Sequence, residues 1–155
     1  MDDVELVTLP EPRVVDAPDM HVAGLSMDYT RDRMGEIPAQ WDRFNAELEQ
    51  SELPARVASY GIVYPMSTMR YLTAVESDPA AKLPEGWSHE TIPAQRYAIF
   101  SATGGIPMIR RVWVTIWTDW LPKSGIKVAQ SKPMIEWYPE DWIRSGDFEI
   151  WIPVA

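Results

Sequence analysis

Apolar and polar positions alternate in short runs along most of the chain, and two longer stretches repeat at helical spacing instead. Residues 4–9 (VELVTL) alternate weakly up to Pro10 and are expected to form a strand, with a brief extended piece at 13–15. Residues 20–27 (MHVAGLSM) read as a second strand, and the polar stretch 28–36 with Gly35 reads as a loop. Ile37, Trp41, Phe44 and Leu48 then fall at i, i+4, i+7 and i+11, one apolar stripe of a helix. Pro38 sits in the tolerated first turn of that helix, and Pro54 lies beyond its end. Residues 59–64 (SYGIVY) and 70–76 (RYLTAVE) read as a pair of strands, followed by a charged, proline-containing connector at 78–86.

The same order of events recurs. Residues 87–92 and 95–103 read as strands, and Gly104-Gly105 as a turn. A second helix opens at Ile106-Pro107, with a stripe of Ile109, Val112, Trp113, Ile116, Trp117, Trp120 and Leu121. Pro122 and Gly125 are expected to end it. Residues 134–138 (MIEWY) and 148–154 (FEIWIPV) close the chain as strands.

Two units of strand–strand–helix–strand–strand thus follow one another with a period of about 75 residues. Ile37-Pro38 answers Ile106-Pro107, and Tyr64-Pro65 answers Tyr138-Pro139. The expected fold is α+β: two pseudo-twofold-related units forming a curved antiparallel sheet with two helices and a central ligand pocket. The whole of residues 1–155 is expected to be one domain, with unit one at about 1–77, a connector at 78–86 and unit two at about 87–155. A ligand is expected in the groove between the halves.

Charge narrows the partners. With 23 Asp and Glu against 14 Lys and Arg, the net charge is −9, and the basic footprint needed for nucleic acid or an anionic membrane is missing. The absence of cysteine excludes disulfides, thiolate metal sites and a Cys nucleophile. His21 and His89 lie far apart in the chain and are not expected to build a metal site alone, so neither metal nor cofactor is expected. The acidic N-terminus lacks signal-peptide features, and a cytoplasmic location is expected. None of the nucleophile-elbow, phosphate-loop, dinucleotide or zinc-protease motifs occurs.

The aromatic inventory has eight Trp and six Tyr against three Phe, which favours rings with a polar handle, as in a pocket or an interface. One acid stands out among them. Glu136 lies in the apolar strand 134–138, where Met134, Glu136 and Tyr138 share one face and Ile135 and Trp137 the other. If the odd-numbered pair faces solvent, Glu136 points inward, where a carboxylate needs a proton or a cation. Glu149 in 148–151 (FEIW) is a weaker case of the same kind. Trp87 and Trp142, if exposed, would mark a dimer contact.

The tandem pattern resembles the GyrI-like effector-binding domain family, which includes ligand-binding domains of AraC-type and MerR-type multidrug regulators. The resemblance rests on residues 20–25 (MHVAGL), 92–100 (IPAQRYAIF), 133–138 (PMIEWY) and 149–154 (EIWIPV). It implies two βαββ units around a pocket, with Glu136 as the pocket's acid and Tyr138 on the same face. It also implies that Trp151 stands for the aromatic of the last strand, that Trp113 with Trp117 one turn on stands for that of the second helix, and that Tyr71 opens the last strand of unit one. Trp151 departs from the family's usual Tyr.

The implied function is binding of small, planar, amphipathic cations by a stand-alone bacterial module without a DNA-binding part, acting alone, as a homodimer or through a partner regulator. Two alternatives follow from the same resemblance. One is a hydrolase of strained cyclopropanoid toxins with Glu136 as general base. The other is a gyrase-inhibitor-like protein-interaction module.

Overall fold

The structure, a computed structural model, describes residues 4–55 and 57–155. Eight strands form one antiparallel sheet: β1 (Arg13–Ala17), β2 (Met20–Tyr29), β3 (Ser59–Tyr64), β4 (Met69–Glu76), β5 (Ser88–Ile92), β6 (Gln95–Ala102), β7 (Met134–Tyr138) and β8 (Phe148–Pro153). Their spatial order is β1-β6-β8-β7-β3-β4-β2-β5. Helix α1 (Ile37–Glu49) follows β2, and α2 (Ile106–Thr115) follows β6. A π-helical turn (Ile116–Trp120) runs on from α2 into the short α3 (Leu121–Ser124), and α4 (Trp142–Ser145) precedes β8. Among the described residues, no helix is long and apolar enough to cross a membrane.

This strand order forces the sheet to roll. β1 and β2 lie six strand spacings apart, about 29 Å in a flat sheet. Yet only Pro18 and Asp19 join them, a link that spans at most about 11 Å. β5 and β6 are separated in the same way and joined only by Pro93 and Ala94. Both links can close only if the two ends of the sheet approach one another. The Asp19 carboxylate ties them together by accepting the Ala94 N–H at 2.6 Å.

Rolling buries both faces. The inner face packs Val22, Ile62, Leu72 and Ile92 from one end against Tyr97, Ile99 and Ile135 from the other. The outer face carries the helices. Phe44 and Leu48 of α1 pack on Ala23, Leu25 and Val75, while Val112 and the following Ile116 pack on Phe100, Ile150 and Ile152. Gln40 is the polar exception under α1 and is 2 % exposed. Its amide N–H groups donate to the carbonyls of Leu25 (2.9 Å) and Tyr71 (3.0 Å), and its carbonyl accepts the Tyr29 hydroxyl at 2.6 Å.

Several expectations are corrected. Residues 4–9 form no strand: Pro10 and Pro12 withhold the N–H groups a ladder needs, and the ladder with β6 starts only at Arg13. The segment crosses to α2 instead, where the Val7 N–H donates to Thr115 Oγ1 at 3.0 Å. The expected loop at 28–36 is the end of β2 followed by a 3₁₀ turn, Arg31–Glu36. Pro122 does not end the second helix. The wider π turn before it accommodates the proline, and the helical segment stops at Gly125 with φ 74°.

Trp87 lies outside β5 and is buried, stacked on Phe44 with ring centroids 5.0 Å apart, and Trp142 is half-buried against Tyr138 at 4.8 Å. Neither offers the exposed ring that a dimer contact would need. His21 and His89, distant in sequence, are neighbours across β2 and β5, with ring nitrogens 3.2 Å apart.

Replacing Gln40 by Met keeps its length and removes every polar contact it makes, leaving the buried Tyr29 hydroxyl only the weak Met27 sulfur acceptor at 3.8 Å. The expected cost is about 1–3 kcal/mol, read by chemical denaturation as a lower midpoint with an unchanged slope.

Candidate functional site

β7 and β3 pair at the centre of the sheet, and Glu136 lies directly opposite Gly61 across that seam. Alternation sends Glu136 to the outer, helix-covered face, where it is 7 % exposed. The odd-numbered residues do not face solvent as the inward condition supposed. Ile135 is fully buried and Trp137 half-buried, because the rolled sheet covers that face too.

Three neutral groups donate to the carboxylate. The Tyr71 hydroxyl on β4 reaches Oε1 at 2.5 Å, and the Tyr138 hydroxyl reaches the same oxygen at 3.1 Å. The Trp113 indole N–H of α2 reaches Oε2 at 2.8 Å. Behind them, the Trp41 indole N–H of α1 donates to the Tyr71 hydroxyl at 3.0 Å. The Trp41 ring stands edge-on to Tyr138 with centroids 5.5 Å apart. Two helices thus meet over one acid through Trp41 and Trp113.

Burial dominates the electrostatics. It pushes the Glu136 carboxyl above its ordinary range, and the donated bonds from Tyr71, Trp113 and Tyr138 pull it back only in part. No lysine or arginine among the described residues acts on it. Burial, reinforced by the neighbouring Glu136 charge, also pushes the Tyr71 and Tyr138 hydroxyls well above the usual phenol range, so both remain protonated donors. Among the described residues, no group of three or more His, Asp and Glu is placed to hold a metal ion.

Of the residues singled out from the sequence, Glu136, Tyr138, Tyr71 and Trp113 come together in this cluster. Trp151 does not. It lies opposite Ile135 in the β7–β8 register, hence on the inner face, where it packs on Tyr60 and Tyr97 and donates its indole N–H to Glu149 at 2.9 Å. Trp117 is 42 % exposed on the solvent side of the helical segment and makes no hydrogen bond to Glu136. The expected central pocket is closed over Glu136 by the protein's own side chains.

Trp41 and Gly61 complete the site. Trp41 was visible only as one position of an apolar stripe, and Gly61 only as a glycine inside a strand, which is itself a mark of close approach. A Cβ on Gly61 would fall well inside 3.0 Å of both Tyr71 Oη and Glu136 Oε1.

Gly61→Ala is therefore expected to force Tyr71 and Glu136 apart, destabilise the fold by about 1–3 kcal/mol and raise the exposure of Trp41 and Trp113 in a quenching assay. A second test uses pH. Because the folded state raises the Glu136 carboxyl above its ordinary 4.5, the folded state holds that proton more tightly than the unfolded state. Wild-type stability then falls as pH rises from about 4.5 through the folded-state value, and Glu136→Gln lacks that loss. The stability of the variant relative to wild type should rise over this window and then level off. A difference independent of pH would contradict the assignment.

The transcriptional regulator BrlR of Pseudomonas aeruginosa is 30 % identical over 119 residues, covering 74 % of this chain and 43 % of BrlR. The chain therefore spans less than half the length of that relative. The structure of SAV2435 bound to tetraphenylphosphonium superposes with a TM-score of 0.74 at 20 % identity, over 94 % of each chain. A putative transcription regulation protein from Staphylococcus aureus also gives 0.74 at 20 % identity, over 94 % of this chain and 98 % of that one. At these identities the two structures share the fold. The profile of the GyrI-like small molecule binding domain matches residues 10–155, and the chain belongs to that family.

Proposed function

We propose that the protein binds small, planar, amphipathic cations, with Glu136 as the anchor and Tyr71, Tyr138, Trp113 and Trp41 as the walls. The observation that carries this is a buried carboxylate held by three neutral donors and, among the described residues, by no cation. Such a group is under-compensated, and a ligand cation supplies what it lacks. Rings on several sides add cation–π attraction of about 0.5–2 kcal/mol each. Membership of a small-molecule binding family supports the ligand class in general, and the tetraphenylphosphonium bound to SAV2435 is an amphipathic cation.

The closed site implies that a ligand enters by parting Trp41 and Trp113. The hydrolytic alternative asks for a water beside Glu136, where the neighbours are instead protein donors. Two related halves also belong to this proposal. The strand order is unchanged when β1–β4 are exchanged one for one with β5–β8 and read from the other end, which is what a pseudo-twofold would produce. The β3–β7 seam would then be its axis, and Glu136 would sit beside that axis.

Titration of intrinsic tryptophan fluorescence with tetraphenylphosphonium and with a planar cationic dye tests the anchor. Glu136→Gln should weaken both by about tenfold or more. Trp113→Phe, which removes the donor competing for Oε2 and keeps an aromatic wall, should bind as tightly as wild type or more tightly. Equal affinity in Glu136→Gln would refute the electrostatic anchor.

A further inference from the structure

A second space in the molecule lies apart from Glu136. A cavity of about 530 Å³ opens where the N-terminal segment passes α2 and the ends of β6 and β8. Leu9, Val112 and Phe148 give it apolar walls, and Trp137, Asp147 and Glu149 give it an aromatic and acidic side. Its volume lies within the range of about 300–1,000 Å³ typical of small-molecule sites. The segment that forms one wall is pinned at two points. Besides the bond from Val7 to Thr115, the Arg111 guanidinium donates to the Glu5 carbonyl at 3.0 Å.

The acid in this cavity already holds a cation. Glu149 faces Trp137 directly across the β7–β8 pair, on the inner face and so turned away from Glu136. The Arg13 guanidinium, on edge strand β1, donates to Glu149 Oε2 at 2.9 Å and to Ser101 Oγ at 3.2 Å. The other oxygen accepts the Trp151 indole. The Glu149 side chain is 14 % exposed and the Arg13 side chain 55 %. A mostly buried carboxylate is therefore covered by a largely solvated arginine. Such a partner contributes little when solvent can replace it, so it is readily displaced.

We propose that this cavity is a second binding site, for a compact amphipathic monocation. The cationic head displaces Arg13 from Glu149 and lies against the Trp137 ring. The apolar body fills the space between Leu9 and Phe148. Asp147 adds negative charge at the rim and excludes anions. The site uses none of the residues around Glu136 and stands or falls independently of the function proposed for them.

The test uses the full chain carrying Glu136→Gln, which weakens binding at the first site. Benzyltrimethylammonium is titrated while the backbone amides of Leu9, Ser101, Thr103 and Asp147 are followed by NMR. Its neutral carbon isostere, neopentylbenzene, is run in parallel. Saturable shifts with the cation and weaker ones with the isostere are expected. Adding Arg13→Gln should tighten binding several-fold, because the internal competitor is gone, and adding Glu149→Gln should weaken it by about tenfold.

Thr8→Trp, on the exposed part of the segment, fills the cavity without touching the acid and should abolish the shifts even if Glu149→Gln fails to fold. Absence of saturable shifts at these amides, equal response to the neutral isostere, or no gain in Arg13→Gln would each overturn the proposal.

Discussion

A carboxylate buried among neutral donors, with no counter-cation among the described residues, is the constraint around which this molecule is arranged. Removing Glu136 from water costs several kcal/mol, and a bond donated to a charged group returns about 1.5–3 kcal/mol. Three such bonds are made, yet the carboxyl remains shifted upward, so the donors offset the burial only in part. The donors come from β4, β7 and α2, with α1 behind them through Trp41. Holding that acid therefore fixes the positions of both helices over the central seam. Gly61 belongs to the same constraint, because only a residue without a side chain leaves room for the Tyr71–Glu136 contact.

The rolled sheet explains how one strand can be chemically occupied on both sides. Two-residue links carry the chain from one end of the sheet to the other, so the ends must meet and the inner face becomes interior. β7 then has no solvent side. Glu136 projects toward the helices, while Ile135 and Trp137 project into the roll. In a flat sheet with helices on one face, Trp137 and Trp151 would cover nothing. Here they line an interior that reaches the ion pair of Arg13 and Glu149 at its edge.

Much of this was legible from residue spacing. The strands at 59–64 and 134–138 coincide with β3 and β7, since alternation and the following prolines mark both their content and their ends. The Ile-Pro openings placed both long helices correctly at their starts. Four of the cluster's side chains were also identifiable, through their strand parity and the family resemblance. What escaped depended on pairings between distant segments. Trp151 has an aromatic side chain in the right strand, but its face is set by its register with Ile135, which no local pattern encodes. Trp41 reads as ordinary helix stripe, and the Gln40 anchor reads as a surface polar residue until its burial is known. The two histidines meet only because β2 and β5 pair.

Closure of the Glu136 site bears on how charge selectivity arises. A ligand shifts a conformational equilibrium only through its differential affinity for the two states. Parting Trp41 and Trp113 breaks the indole bonds to Tyr71 and Glu136, and the cost is the same whatever enters. A neutral aromatic molecule recovers ring contacts but leaves the carboxylate with fewer donors than before. A cation recovers the same contacts and also supplies the missing counter-charge in a low-dielectric setting, where that attraction is strongest. On the proposed reading, the preference for cations therefore needs no preformed shape. It follows from the deficit around one buried acid, and it would disappear if that acid were permanently paired.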